Sequence, residues 1–107
     1  MNNLKVYINS TRSNIKAIGE FNEKTREIIV LKDSIVSKTI AYSEKFRGAK
    51  SIEKQREGKV KDNILLEDTI FKSPSTAANF VTGRSTNGLI AWKNEDGKTI
   101  KQIINEG

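Results

Sequence analysis

The sequence predicts a small α+β domain, a mainly antiparallel sheet of four to five strands packed with two to three helices. Three observations lead there. Apolar residues alternate at period two through the N-terminal part, they recur at helical spacing in three later stretches, and the 107-residue length suits one hydrophobic core. With 36% hydrophobic and 30% charged residues, there is apolar material for that core and no sign of a disordered chain. A single domain spanning residues 1–107 is therefore expected.

Leu4, Val6 and Ile8 alternate with Lys5 and Tyr7, the pattern of a half-buried strand, and Thr11-Arg12-Ser13-Asn14 breaks it. Ile15, Ala17 and Phe21 fall on one face of a second strand that runs through Gly19. Asn22-Glu23-Lys24-Thr25 has the length and polarity of a hairpin loop. The third strand, Glu27-Ile28-Ile29-Val30-Leu31, is apolar on both faces and is expected at the centre of the sheet.

From Ala41 the period changes. Tyr42, Phe46 and Ala49 recur at i, i+4 and i+7 with Ile52 beside them, and Gly58 ends the run, which predicts an amphipathic helix weakened by about 1 kcal/mol at Gly48. Ile64-Leu65-Leu66 and Thr69-Ile70-Phe71 read as one further strand with a bend at Glu67-Asp68. The next helix has the clearest punctuation: Ser73 as N-cap, Pro74 at the first helical position, Ala77, Phe80 and Val81 as its buried face, and Gly83 as the left-handed stop. Asn87-Gly88 reads as a turn, Leu89-Ile90-Ala91-Trp92 as a short strand, and Asn94-Glu95-Asp96-Gly97 as a second turn. Thr99 and Gln102 form a capping box ahead of Ile100, Ile103 and Ile104, which predicts a terminal helix.

The longest apolar run, Ile28 to Leu31, is far below the roughly 18 residues of a membrane span. No secretory-signal pattern opens the chain and it contains no cysteine, so a soluble, cytoplasmic protein without membrane contact is expected. Histidine is absent too, which removes the commonest general base, the best thiol nucleophile and the usual zinc ligands. Glu67-Asp68 and Glu95-Asp96 read as solvated carboxylates rather than a metal pair, because neighbours in a strand point to opposite faces and the second pair lies in a turn. No phosphate-binding loop or dinucleotide fingerprint occurs. A domain with no catalytic residues, no metal and no cofactor is expected.

The net charge of +6 and the sequence pI near 9.7 favour anionic partners. In the predicted central helix, Arg47, Lys50 and Lys54 fall at i, i+3 and i+7, a stripe suited to tracking phosphates; a solvated face relieved by Glu44, Glu53 and Glu57 is the alternative. At the start of the Ser73 helix, Lys72 and the hydroxyls of Ser75 and Thr76 stand where a helix N-terminus can hold a phosphate, although capping by Ser73 explains the same residues. Arg84 adds a cation beyond the other end. Trp92 is either a stacking surface for a base or a core residue against Phe80 and Leu89.

The run Ser73-Pro74-Ser75-Thr76-Ala77-Ala78, followed by Gly83, Asn87-Gly88 and Trp92, resembles the small domain of unknown function found C-terminal to GIY-YIG endonuclease-family catalytic domains. The resemblance covers about residues 14–103 and extends upstream through Ala17-Ile18-Gly19 and Ile29-Val30-Leu31-Lys32-Asp33-Ser34, where the family tends to carry glycine at the place of Asp33. A more distant likeness is to the domain associated with restriction enzymes and adenine methylases. The catalytic GIY-YIG signature itself is missing; Val6-Tyr7-Ile8 only echoes it. What the resemblance implies is an accessory domain in DNA processing, with nucleic acid and a nuclease or restriction component as partners. The alternative is a structural or protein–protein interaction domain without nucleic-acid contact.

Overall fold

A computed structural model describes residues 3–40 and 49–106. Strands β1 (Asn3–Ser10) and β2 (Ile15–Asn22) form an antiparallel hairpin in which Val6, Ile8, Ile15, Ala17 and Phe21 all turn to the core, as their alternation requires. β3 (Ile28–Val30) pairs antiparallel with β2 and with β6 (Thr69–Phe71), giving the order β1-β2-β3-β6. The doubly apolar strand is thus interior, as expected. A two-stranded hairpin of β4 (Val60–Lys61) and β5 (Ile64–Leu65) joins β2 through Ile35, which bridges both Lys16 and Ile64.

Among the described residues, four helices complete the α+β architecture: α1 (Ala49–Arg56), α2 (Pro74–Thr82), the single turn α3 (Gly88–Ala91) and α4 (Ile100–Glu106). α2 lies across β2, β3 and β6 and buries Ala77, Ala78, Phe80 and Val81 against them. Trp92, Phe21, Phe80, Ile28, Leu65 and Ile100 fill the centre, and the Phe71 and Phe80 rings meet at 5.0 Å in a tilted pair.

The punctuation of α2 is as the sequence predicts. Ser73 is extended and its Oγ accepts from the Thr76 amide, while Gly83 sits at φ 73° and returns its N–H to Asn79 O. At α4 the capping box is closed in both directions, Thr99 N–H to Gln102 Oε1 and Gln102 N–H to Thr99 Oγ1.

Two expectations are corrected. Leu89–Trp92 is not a strand: Asn87 Oδ1 accepts from the Leu89 amide and starts α3, so only Trp92 and Lys93 are extended. Ile64–Phe71 is not one bent strand but two strands, one paired with β4 and one with β3. Its first half is turned back by Asp62-Asn63, both left-handed at φ 53° and 67°, a two-residue hairpin turn. The central helix is described only from Ala49, so Tyr42, Glu44, Phe46, Arg47 and Gly48 lie outside the described residues. Within it, Ala49 and Ile52 are buried, and Gly58 at φ 77° follows its end.

Candidate functional site

The residues around the N-terminus of α2 form a tight packing joint. Gly88 lies so close to the first turn of α2 that a Cβ there would overlap Pro74 C, Pro74 O and Ser75 N, each inside the 3.0 Å that real Cβ contacts essentially never breach. Its N–H donates to Ser75 Oγ at 3.0 Å, and Trp92 Nε1 donates to Pro74 O at 3.0 Å from a fully buried indole. Ser73 Oγ and Thr76 Oγ1 share a 2.9 Å hydrogen bond.

At the start of α2 the capping arrangement is the one in place: Ser73 Oγ takes the Thr76 amide and Ser75 Oγ accepts from Gly88, while Lys72 and Thr76 are exposed. Trp92 presents no ring face for stacking on a base, since it is 0% exposed.

A family model described as a domain of unknown function, DUF4357, matches residues 6–104. The chain belongs to the DUF4357 family. No curated protein and no solved structure matches it. In this DUF4357 domain the Ser73-Pro74-Ser75, Asn87-Gly88 and Trp92 elements are the parts of one joint that fixes α3 on α2.

The opposite end of α2 is built differently. There, four segments that are remote in sequence converge on a cleft of about 550 Å³: the β1–β2 turn at Arg12 to Asn14, the stretch Val36 to Thr39, the β4–β5 tip at Asn63, and Thr82 to Arg84. Arg12, Lys38 and Arg84 bring three cations to its lining, and no carboxylate is among the described residues that line it. All three are exposed and, among the described residues, none makes an ion pair or a side-chain hydrogen bond. Asn14, Asn63 and Thr39 supply neutral polar groups between them.

This convergence depends on Gly83. Its φ of 73° is left-handed, and an added Cβ would overlap Thr39 O and come within 2.6 Å of Ser37 Oγ, so only glycine lets the end of α2 touch the 37–40 segment. The helix end would by itself oppose an anion, because unpaired carbonyls carry the negative pole of the dipole. That pole is already occupied. Ser37 N–H donates to Val81 O at 2.8 Å, and Arg56, reaching over from α1, donates through Nε to Phe80 O at 3.0 Å and through Nη1 to Ser37 O at 3.0 Å. The Arg56 guanidinium also lies 5.7 Å from the Phe80 ring centre.

Among the described residues that the sequence singled out, Arg84 alone lies in this cleft. Lys50 and Lys54 are exposed on α1, but in a shallower groove whose lining also contains Glu53 and Glu57. Lys72 stands at the far end of α2, roughly 14 Å away along nine residues of helix. Arg12 and Lys38 were not legible as site residues, since each is one isolated cation in a polar stretch. Among the described residues, no helix is long and apolar enough to cross a membrane, and no three carboxylates gather into an ion site.

Proposed function

We propose that this DUF4357 protein is a non-catalytic accessory domain of DNA processing, in a GIY-YIG nuclease or restriction-modification setting, that holds a nucleic-acid backbone in the Arg12/Lys38/Arg84 cleft. The observation that carries the reading is the gathering of three cations that, among the described residues, have no ion-pair partner and no carboxylate beside them in the lining, around polar groups that can bond phosphate oxygens. The net charge of +6 supports the same partner by raising the local concentration of polyanion. No aromatic side chain is among the described residues that line the cleft, so affinity is expected from phosphates, with little base selectivity.

Each neutralised phosphate releases condensed counterions and contributes about −0.9 to the slope of log affinity against log salt. Titration of a fluorescent duplex at several salt concentrations should therefore give a slope near −3 for three contacts. The variant R12A/K38A/R84A, altered only at exposed side chains, should flatten the slope toward zero while circular dichroism shows it folded. K50A/K54A should keep most of it. An unchanged slope in the triple variant overturns the site, and absence of binding at low salt moves the domain to the protein-interaction reading.

A further inference from the structure

The two edges of the four-stranded sheet are treated differently. On the β1 side, Tyr7 and Lys93 exchange both backbone hydrogen bonds, at 2.7 and 3.0 Å, so the middle of that edge is capped by the chain itself. Among the described residues, none bridges the β6 edge in this way. Its central residue, Ile70, is the most exposed large hydrophobic among the described residues, at 59%.

The phase of the ladder fixes which groups face out. Asn22 N–H bonds Glu27 O and Leu31 N–H bonds Ile18 O, so the odd-numbered residues of β3 bond β2, while Ile28 and Val30 turn to β6. Their partners there are Phe71 and Thr69. The N–H and C=O of Ile70 consequently point away from β3, into the open edge.

We propose that this edge pairs antiparallel with β6 of a second copy of the chain, about a two-fold axis at Ile70. The segment is complementary to itself in that register and the charges decide it. With Ile70 opposite Ile70, Thr69 meets Phe71 on the core side, and Asp68 of each copy meets Lys72 of the other on the exposed side. Two opposite-charge pairs then flank an Ile–Ile contact, and a shift of register by two residues either way brings Asp68 opposite Ile70 or Lys72 opposite Ile70 instead. Each Ile70 exchanges both backbone bonds with its counterpart, which satisfies the groups the monomer leaves at the edge. The pairing joins two four-stranded sheets into one. It involves no residue of the cation-lined cleft and stands or falls independently of nucleic-acid binding.

A seam of one short strand buries less than a standard interface, so the dissociation constant is expected on the order of 100 µM. Sedimentation velocity of the full chain from about 10 µM to 1 mM should show the mass rising from 12.0 kDa toward twice that value. Asp68→Lys or Lys72→Asp alone places like charges opposite each other twice and should weaken the dimer at least about tenfold. The double exchange D68K/K72D recreates both pairs and should restore it to within about threefold, which also controls for loss of the Lys32 N–H to Asp68 Oδ1 bond. Ile70→Pro, which removes the outward N–H without touching the β3 ladder, should give a folded monomer. A mass that stays at 12.0 kDa up to 1 mM, a dimer indifferent to Ile70→Pro, or a double exchange that fails to restore pairing overturns the proposal.

Discussion

Replacing Gly88 by alanine adds a single methyl group at a place where the backbone of α2 already stands. Pro74 C, Pro74 O and Ser75 N are all closer to that position than 3.0 Å, and ordinary contact begins at 3.4 Å, so α3 must withdraw by about 1 Å. None of the obstructing atoms belongs to a flexible side chain that could swing away. Withdrawal stretches the Gly88 N–H to Ser75 Oγ bond and the Trp92 Nε1 to Pro74 O bond, both 3.0 Å. The overpacking costs about 1–3 kcal/mol. A buried indole N–H left without its acceptor costs about 1–3 kcal/mol more. A total of about 2–6 kcal/mol is a large part of the roughly 5–15 kcal/mol that a domain of this size holds. Trp92 is the only tryptophan, so its fluorescence reports directly on the joint. Urea unfolding followed by Trp92 emission and by far-UV circular dichroism measures the loss. A change below about 1 kcal/mol with unaltered emission would refute the view that the signature residues are there to pack α3 onto α2.

Three further outcomes are expected. Gly83→Ala should cost about 3 kcal/mol or more in urea unfolding, because left-handed strain of about 1 kcal/mol adds to overlap with Thr39 O; a cost of only 1 kcal/mol would mean the 37–40 segment yields freely. Arg26→Gly should raise stability by up to about 1 kcal/mol, since arginine is held at φ 67° in the β2–β3 turn, and Asp33→Gly, at φ 75°, should gain less because aspartate tolerates that region; a loss of stability at both positions would contradict the assignment of strain. The purified protein should not cleave plasmid, single-stranded DNA or RNA with Mg²⁺ or Mn²⁺, and cleavage that co-purifies and disappears on changing Glu67 or Asp96 would contradict the non-catalytic reading.

Much of the fold was legible because local chemistry decided it. Ser73, Pro74 and Gly83 delimit α2 by capping and by fixed or left-handed φ, and the alternation in β1 and β2 leaves one register that buries Val6, Ala17 and Phe21. Leu89 to Trp92 misled because four apolar residues have no readable period, and the deciding interaction is one Asn87 side-chain bond. That Asp33 stands where glycine is favoured is visible only from its φ of 75°.

The site was harder to see. A motif of capping residues and a tryptophan looked like a binding signature, yet its dense pattern encodes a joint between two backbones. Arg12, Lys38 and Arg84 carry no pattern at all, since their meeting depends on how three loops and a helix end are brought together in space. The Lys50 and Lys54 spacing was correct as helix geometry but did not reveal that Glu53 and Glu57 share their groove.

The cleft is tested most directly by following the backbone amide resonances of the ¹⁵N-labelled protein while a short duplex is added at low salt. The shifts should concentrate at Arg12 to Ile15, Lys38, Thr39, Asn63, Gly83 and Arg84, and should fade as salt is raised. Shifts centred on Lys50 and Lys54 or on Ser73 to Thr76, with those cleft amides unmoved, would contradict the assignment of the nucleic-acid site.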